Sequence, residues 1–145
     1  MYQLTYRSIA RPRLKFEDLE AILEEANATN SARNISGCLI YHNNSFVQIL
    51  EGNKKDVRHV YRKIKADDRH QSVTLLWDTN VETRFFKEWH MAFYRPEDKN
   101  IKTFVNDLLT FSDLTEKPTS PLLTFWATVQ KILLDGTVKQ FEKVY

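Results

Sequence analysis

An α+β fold is predicted: a mixed sheet with two helices on one face, followed by a helical pair. Three observations predict it. Apolar residues alternate with polar ones, or run together in β-branched and aromatic blocks, in five short segments of residues 1–94. Two stretches with helical spacing fall after the first and third of these segments. Beyond Pro96 the strand signal stops and only helical spacing remains. The order βαββαββ places both helices on one side of the sheet, which is the ferredoxin-like arrangement.

Tyr2, Leu4 and Tyr6 alternate with Gln3, Thr5 and Arg7, giving a first strand that ends near Ser8. Phe16, Leu19, Ile22, Leu23 and Ala26 form one helical stripe; Lys15 before it is a poor cap, while Glu17 and Asp18 suit the positive end of the helix dipole. Residues 37–42 form a second strand, Asn43-Asn44 a hairpin turn, and residues 45–52 a third strand. Asn53 is placed to cap a helix whose stripe is Val57, Val60, Tyr61 and Ile64. Residues 73–77 form a fourth strand. Residues 89–94 form a fifth, with Trp89, Met91 and Phe93 on one face.

Residues 96–100 mark a boundary between a domain over 1–96 and a helical extension over 97–145. Ile101, Phe104, Val105, Leu108 and Leu109 form the stripe of the first added helix. The second has Ser120 as cap, Pro121 at the first helical position and Gly136 past its end. These apolar faces need cover, and one is expected on the second face of the sheet, the other against a neighbouring subunit or partner.

Composition limits the function. A net charge of +2, from 21 basic and 19 acidic residues that are interspersed, gives no footing for nucleic acid or a membrane surface. Cys38 is the single cysteine and lies in an apolar run, so no intrachain disulfide can form. With no apolar leader and no stretch of transmembrane length, a cytoplasmic location is expected. His42, His59, His70 and His90 show no metal-ligand spacing. Three glycines in the whole chain leave no phosphate-cradling loop.

Gln48 stands out. It shares a strand face with Phe46 and Leu50, so its amide enters an apolar layer where an unpaired group costs about 1–3 kcal/mol. A polar partner must meet it. Tyr6 is placed on the same side, Asn30 closes the first helix, and Lys63, Asp67, Arg69 and His70 lie at the end of the second. Singly each has an ordinary structural role. Together they suit a planar, hydrogen-bonding heterocycle better than a metal or a nucleophile.

Those residues carry a resemblance. Leu4-Thr5-Tyr6-Arg7-Ser8, Asp18-Leu19, Ile22-Leu23, Asn30 and Asn34-Ile35-Ser36-Gly37 are followed by Phe46-Val47-Gln48-Ile49-Leu50-Glu51-Gly52. Then come Val57 to Tyr61, Ile64, Asp67-Asp68-Arg69-His70, Arg84, Phe86 and Trp89-His90-Met91. In order and spacing this resembles the BLUF domain, a blue-light sensor using flavin, over residues 2–94. The helices after Pro96 resemble the extension of its short, stand-alone members.

The resemblance implies a photoreceptor rather than an enzyme, with FAD, or alternatively FMN, between the two helices. It implies Tyr6 and Gln48 as a photoactive pair, and Trp89 and Met91 as last-strand reporters of the light state. It implies a flavin site of Ile22, Asn30, Gln48, Lys63, Ile64, Asp67, Arg69 and His70. Output through protein contacts and a homo-oligomer are expected. Lys63 stands where arginine is common, replacing a planar fork with a point charge, and Thr29 where a longer polar residue is common. The competing reading is a ferredoxin-like small-ligand or regulatory module without photochemistry. An acylphosphatase-type hydrolase using Arg7 and Asn30 is weaker, because the phosphate loop is missing.

Overall fold

The computed structural model describes residues 1–97, 99–110 and 119–135. Its elements are β1 (Tyr2–Ala10), α1 (Phe16–Ala32), β2 (Ser36–His42), β3 (Ser45–Gly52), α2 (Lys54–Ala66), β4 (His70–Asn80), β5 (Ala92–Tyr94), α3 (Lys99–Thr110) and α4 (Thr119–Asp135). The sheet runs β4-β1-β3-β2-β5. β1 lies antiparallel to both β3 and β4, β2 lies antiparallel to β3, and β5 pairs parallel with β2. The ferredoxin-like α+β prediction holds.

Two apolar layers sandwich the sheet. On one side Tyr2, Leu4, Tyr6, Leu39, Phe46 and Leu50 meet Leu19, Ile22 and Leu23 of α1 and Val57 and Val60 of α2. On the other, Cys38, Ile40, Val47, Ile49 and Trp77 meet Ile101 and Val105 of α3 and Leu122, Phe125, Trp126 and Val129 of α4. Covered on both faces, β1 and β3 are buried along nearly their whole length. Both C-terminal helices therefore find cover within the chain. The side chains of Leu108 and Leu109 lie outside the described residues.

Local chemistry accounts for the boundaries. Asn43 and Asn44 both have positive φ (51° and 56°), the pairing that a two-residue hairpin turn requires. The Asn53 side chain caps α2 by accepting from the Lys55 N–H at 3.0 Å. α1 gains at Asp18 the cap that Lys15 lacks, its carboxylate accepting from the Lys15 N–H at 2.9 Å. Phe16, assigned to the buried stripe, is 55% exposed. α4 starts at Thr119, so Ser120 lies within the helix rather than before it; Gly136 lies outside the described residues. β1 and β4 are longer than alternation indicated, and His70 opens a strand.

β5 is shorter than expected, and Trp89 and Met91 precede it. A turn in which the Trp89 N–H donates to the Phe86 carbonyl (3.1 Å) swings Trp89 away. It packs on the α3/α4 side, whereas Met91 and Phe93 face α1 and α2. The predicted common face of Trp89 and Met91 is thus corrected. Ladder pairing fails here because side chains take the backbone groups: Asn30 Nδ2 donates to the His90 carbonyl at 2.9 Å, and Glu51 accepts from the N–H groups of Phe85 and Phe86.

Candidate functional site

Between α1 and α2, above the sheet, opens a cavity of about 300 Å³. Packing dictates its place. Leu19, Ile22 and Leu23 seat α1, and Val57 and Val60 seat α2, while the sheet side chains between the helices leave a slot. Ile22 and Asn30 line it from α1, Lys63 and Ile64 from α2, and Asp67, Arg69 and His70 from the turn and strand beyond; Gln48 contributes from the sheet. The eight residues expected around the flavin are therefore brought to one cavity. Thr29 also lines it, as do Glu25, Ala26, Leu39 and Val60.

Tyr6, Trp89 and Met91 are not on the cavity wall. Tyr6 stands behind Gln48, fully buried, and its hydroxyl donates to Gln48 Oε1. Gln48 Nε2 lies 3.3 Å from Met91 Sδ. This orientation of the amide follows from its partners, since a hydroxyl can donate or accept whereas a thioether only accepts. The result is a buried chain, Tyr6–Gln48–Met91, joining β1, β3 and the segment before β5. Gly37 gives that segment room. A Cβ there would lie 2.1 Å from the Ile49 carbonyl oxygen and 3.3 Å from Met91 Cε.

Burial sets the protonation states. The Tyr6 phenol is pushed well above its ordinary value by desolvation, helped by Tyr61 and Asp67, so it stays protonated. His70 is pushed down to about 4, chiefly by burial, and is a neutral imidazole at neutral pH. Its Nδ1 lies 2.8 Å from Ser8 Oγ, and its ring packs on Phe46 with centroids 4.8 Å apart. Burial raises Asp67, but the hydrogen bonds from Arg69 more than offset this and hold its carboxyl below the usual range. Arg69 grips Asp67 with its fork and reaches Glu25 of α1 at 2.6 Å, tying the cavity's two helical sides together.

One polar atom at the wall stands out. Asn30 is 1% exposed, its Nδ2 is engaged by the His90 carbonyl, and its Oδ1 is buried with no hydrogen-bond partner. A buried acceptor without a partner is uncommon, and this one belongs to a residue of the cavity wall. Among the described residues no group of His, Cys, Asp and Glu is arranged to hold a metal ion, and no helix is long and apolar enough to cross a membrane.

Sequence reasoning missed one buried charge. Glu51 is 0% exposed on the opposite sheet face, where it accepts from Gln3, Ser36, Phe85 and Phe86. The signal was present: an acidic residue where strand alternation continues the face of Val47 and Ile49.

Residues 1–92 match the family model "BLUF: Sensors of blue-light using FAD". The photoactivated adenylate cyclase subunit beta of Euglena gracilis is 38% identical over 90 residues, 61% of this chain. The chain spans only 10% of that relative's length. Among solved structures, BlsA in its photo-activated state superposes with a TM-score of 0.77 at 28% identity, covering 98% of this chain and 99% of that one. BlrB, a BLUF protein in its dark state, gives 0.73 at 27% identity, covering 90% and 95%. The chain belongs to the BLUF family of blue-light sensors.

Proposed function

We propose that this chain senses blue light through flavin held between α1 and α2, with Tyr6 and Gln48 as the switch. The observation that carries this reading is the buried Tyr6–Gln48–Met91 chain, whose middle member Gln48 lines the cavity. The donor set suits the isoalloxazine ring. Ile22, Ile64 and Val60 offer apolar walls to a planar ring, while Asn30 Oδ1 and the Gln48 amide offer polar atoms to its edge. Lys63, Arg69 and His70 lie on the same wall. FAD is the proposed cofactor, with FMN as the alternative that shares the ring.

Flavin, when bound, supplies blue-light absorption and an excited state that draws an electron from a nearby donor. Tyr6 is placed to be that donor, with its phenolic proton already directed at Gln48 Oε1. Gln48 can rotate or tautomerise and so exchange donor for acceptor, both toward the cavity and toward Met91. On return of the electron and proton, Tyr6 is a phenol again, and the changed amide persists as the signal. Met91 passes it to the segment leading into β5. Output then runs from residues 1–96 to the 97–145 extension and on to protein contacts, a second copy of the chain among them. The chain acts as a sensor without turning over a substrate. The buried free Cys38 supports a reducing, cytoplasmic setting.

The purified protein is expected to carry flavin, to shift its absorption to the red under blue light, and to recover in darkness. A flavin-free protein that takes up no added FAD or FMN defeats the reading. Asn30→Ala removes an acceptor at the cavity wall and is expected to weaken flavin retention several-fold, about 0.5–1.5 kcal/mol for a neutral hydrogen bond. Flavin content measured after serial dilution checks this. Retention equal to wild type limits Asn30 to its bond with the His90 carbonyl.

A further inference from the structure

We propose that Glu51 is the positioning residue that couples the segment carrying Met91 to helix α4. This inference rests on the photoreceptor reading and concerns the face of the sheet away from the cavity.

Glu51 sits near the end of β3, in register with Gln3 of β1 and Ser36 of β2, so the three side chains lie in a row across the sheet. Its two oxygens take two consecutive backbone N–H groups, Phe85 to Oε2 at 2.6 Å and Phe86 to Oε1 at 2.9 Å. Gln3 Nε2 adds a bond to Oε2 at 3.2 Å, and Ser36 Oγ one to Oε1 at 3.3 Å. The Ser36 oxygen in turn accepts from Arg84 Nη1 at 2.7 Å, which directs its own proton to Glu51. Every partner donates. The site is therefore built for an ionised carboxylate, even though burial works against the charge. Arg84 strengthens the hold by donating to the carbonyls of Glu51 and Asn34 at 3.0 and 2.7 Å.

This clamp stands between two chains of contact. Toward the cavity, the Phe86 carbonyl accepts from the Trp89 N–H, the Trp89 carbonyl accepts from the Gly37 N–H, and Met91 follows with its sulfur on Gln48. Toward the second face, the fully buried Phe86 ring meets Trp126 of α4 edge-on, centroids 5.7 Å apart and planes at 89°. A movement of Met91 when Gln48 changes its bonding is held at Phe85 and Phe86. It reaches α4 through the Phe86–Trp126 contact. Without the clamp the same movement is absorbed in the irregular residues 84–91, and α4 does not register it.

Glu51→Gln tests this in the flavin-loaded protein. It keeps the shape but turns one edge into a donor facing a donor, so one backbone bond is lost. In darkness, hydrogen exchange is expected to rise about tenfold at the Phe85 and Phe86 amides and also along α4, while α1 and α2 stay as in wild type. After blue light the red shift is retained, its dark recovery is several-fold faster, and the light-induced exchange change in α4 is lost. Phe86→Leu keeps the clamp and cuts the ring contact. It is expected to lose the α4 response while the Phe85 amide and the recovery rate remain as in wild type, and it decides the matter if Glu51→Gln fails to fold. Exchange raised only at residues 85–86, with α4 and the recovery rate unchanged, overturns the proposal. So does an unaltered α4 response in Phe86→Leu. A wild-type protein with no red shift defeats the photoreceptor reading instead, and dark exchange in the two variants still decides the coupling.

Discussion

Tyr6→Phe is expected to keep its flavin and lose the reversible red shift. The ring is fully buried against the α1/α2 layer, and phenylalanine fills the same space. What disappears is the hydroxyl that donates to Gln48 Oε1, and with it the proton that must travel with the electron. Phenylalanine is also a far poorer electron donor than a phenol. The amplitude of the light-minus-dark difference spectrum should fall to less than about a tenth of wild type, because the Tyr6 hydroxyl is the donor that Gln48 Oε1 meets. The fold pays modestly, since Gln48 Oε1 is left buried without a donor at about 1–3 kcal/mol. Gln48→Leu removes the other half of the pair and is expected to give the same spectral result with bound flavin. Absorption spectra of both variants under blue light check the assignment. A normal red shift in either variant rules out the Tyr6–Gln48 pair as the switch.

Trp126→Ala is expected to cost more stability than any other single change on the α3/α4 side. Trp126 is fully buried, stands edge-on to Phe86, contacts Phe125, and donates its indole N–H to Thr5 Oγ1 at 3.1 Å. Truncation of such a ring costs about 3–5 kcal/mol. For a chain of this size that lowers the melting temperature by roughly 10 °C. Trp126→Phe keeps most of the apolar contact but leaves the buried Thr5 hydroxyl unpaired, so a smaller loss of about 1–2 kcal/mol is expected. The cavity between α1 and α2 lies on the opposite face, and flavin content should be preserved in the folded fraction of both variants. Urea unfolding followed by circular dichroism measures the difference. A wild-type midpoint for Trp126→Ala contradicts the packing of α4 on the sheet.

Most strands and helices of residues 1–80 could be read because their apolar residues recur at strand or helical period. The Leu4/Tyr6 alternation marks the face turned to α1 and α2, although Gln3 and Thr5 beside those residues are equally buried on the other face. The Val57/Val60 stripe marks the seated side of α2. Residues 81–91 could not be read this way. Their conformation is held by Glu51 and Asn30, distant in sequence, and by bonds from Arg84 to the equally distant Glu51 and Asn34 carbonyls. An alternation of Trp89, Met91 and Phe93 looks like one strand face until the Phe86–Trp89 turn is seen to place Trp89 on the other side. The C-terminal helices posed the same problem. Their apolar stripes announced a need for cover but carried no information about where the cover would come from.

By itself the sequence determined the element order, the direction in which Tyr6 and Gln48 point, and the family to which those residues belong. Strand parity and helical period are local properties, and a one-residue shift would turn Gln48 from the α1/α2 layer to the other face. Only the tertiary structure decided which atoms meet. It joined Tyr6, Gln48 and Met91 in one buried chain, set Asn30 on the cavity wall with its Oδ1 buried and unpaired, and made Glu51 the anchor of a segment far from it in sequence. These are contacts between groups dozens of residues apart. The register of strands and the seating of helices set their distances, and no local pattern records that geometry.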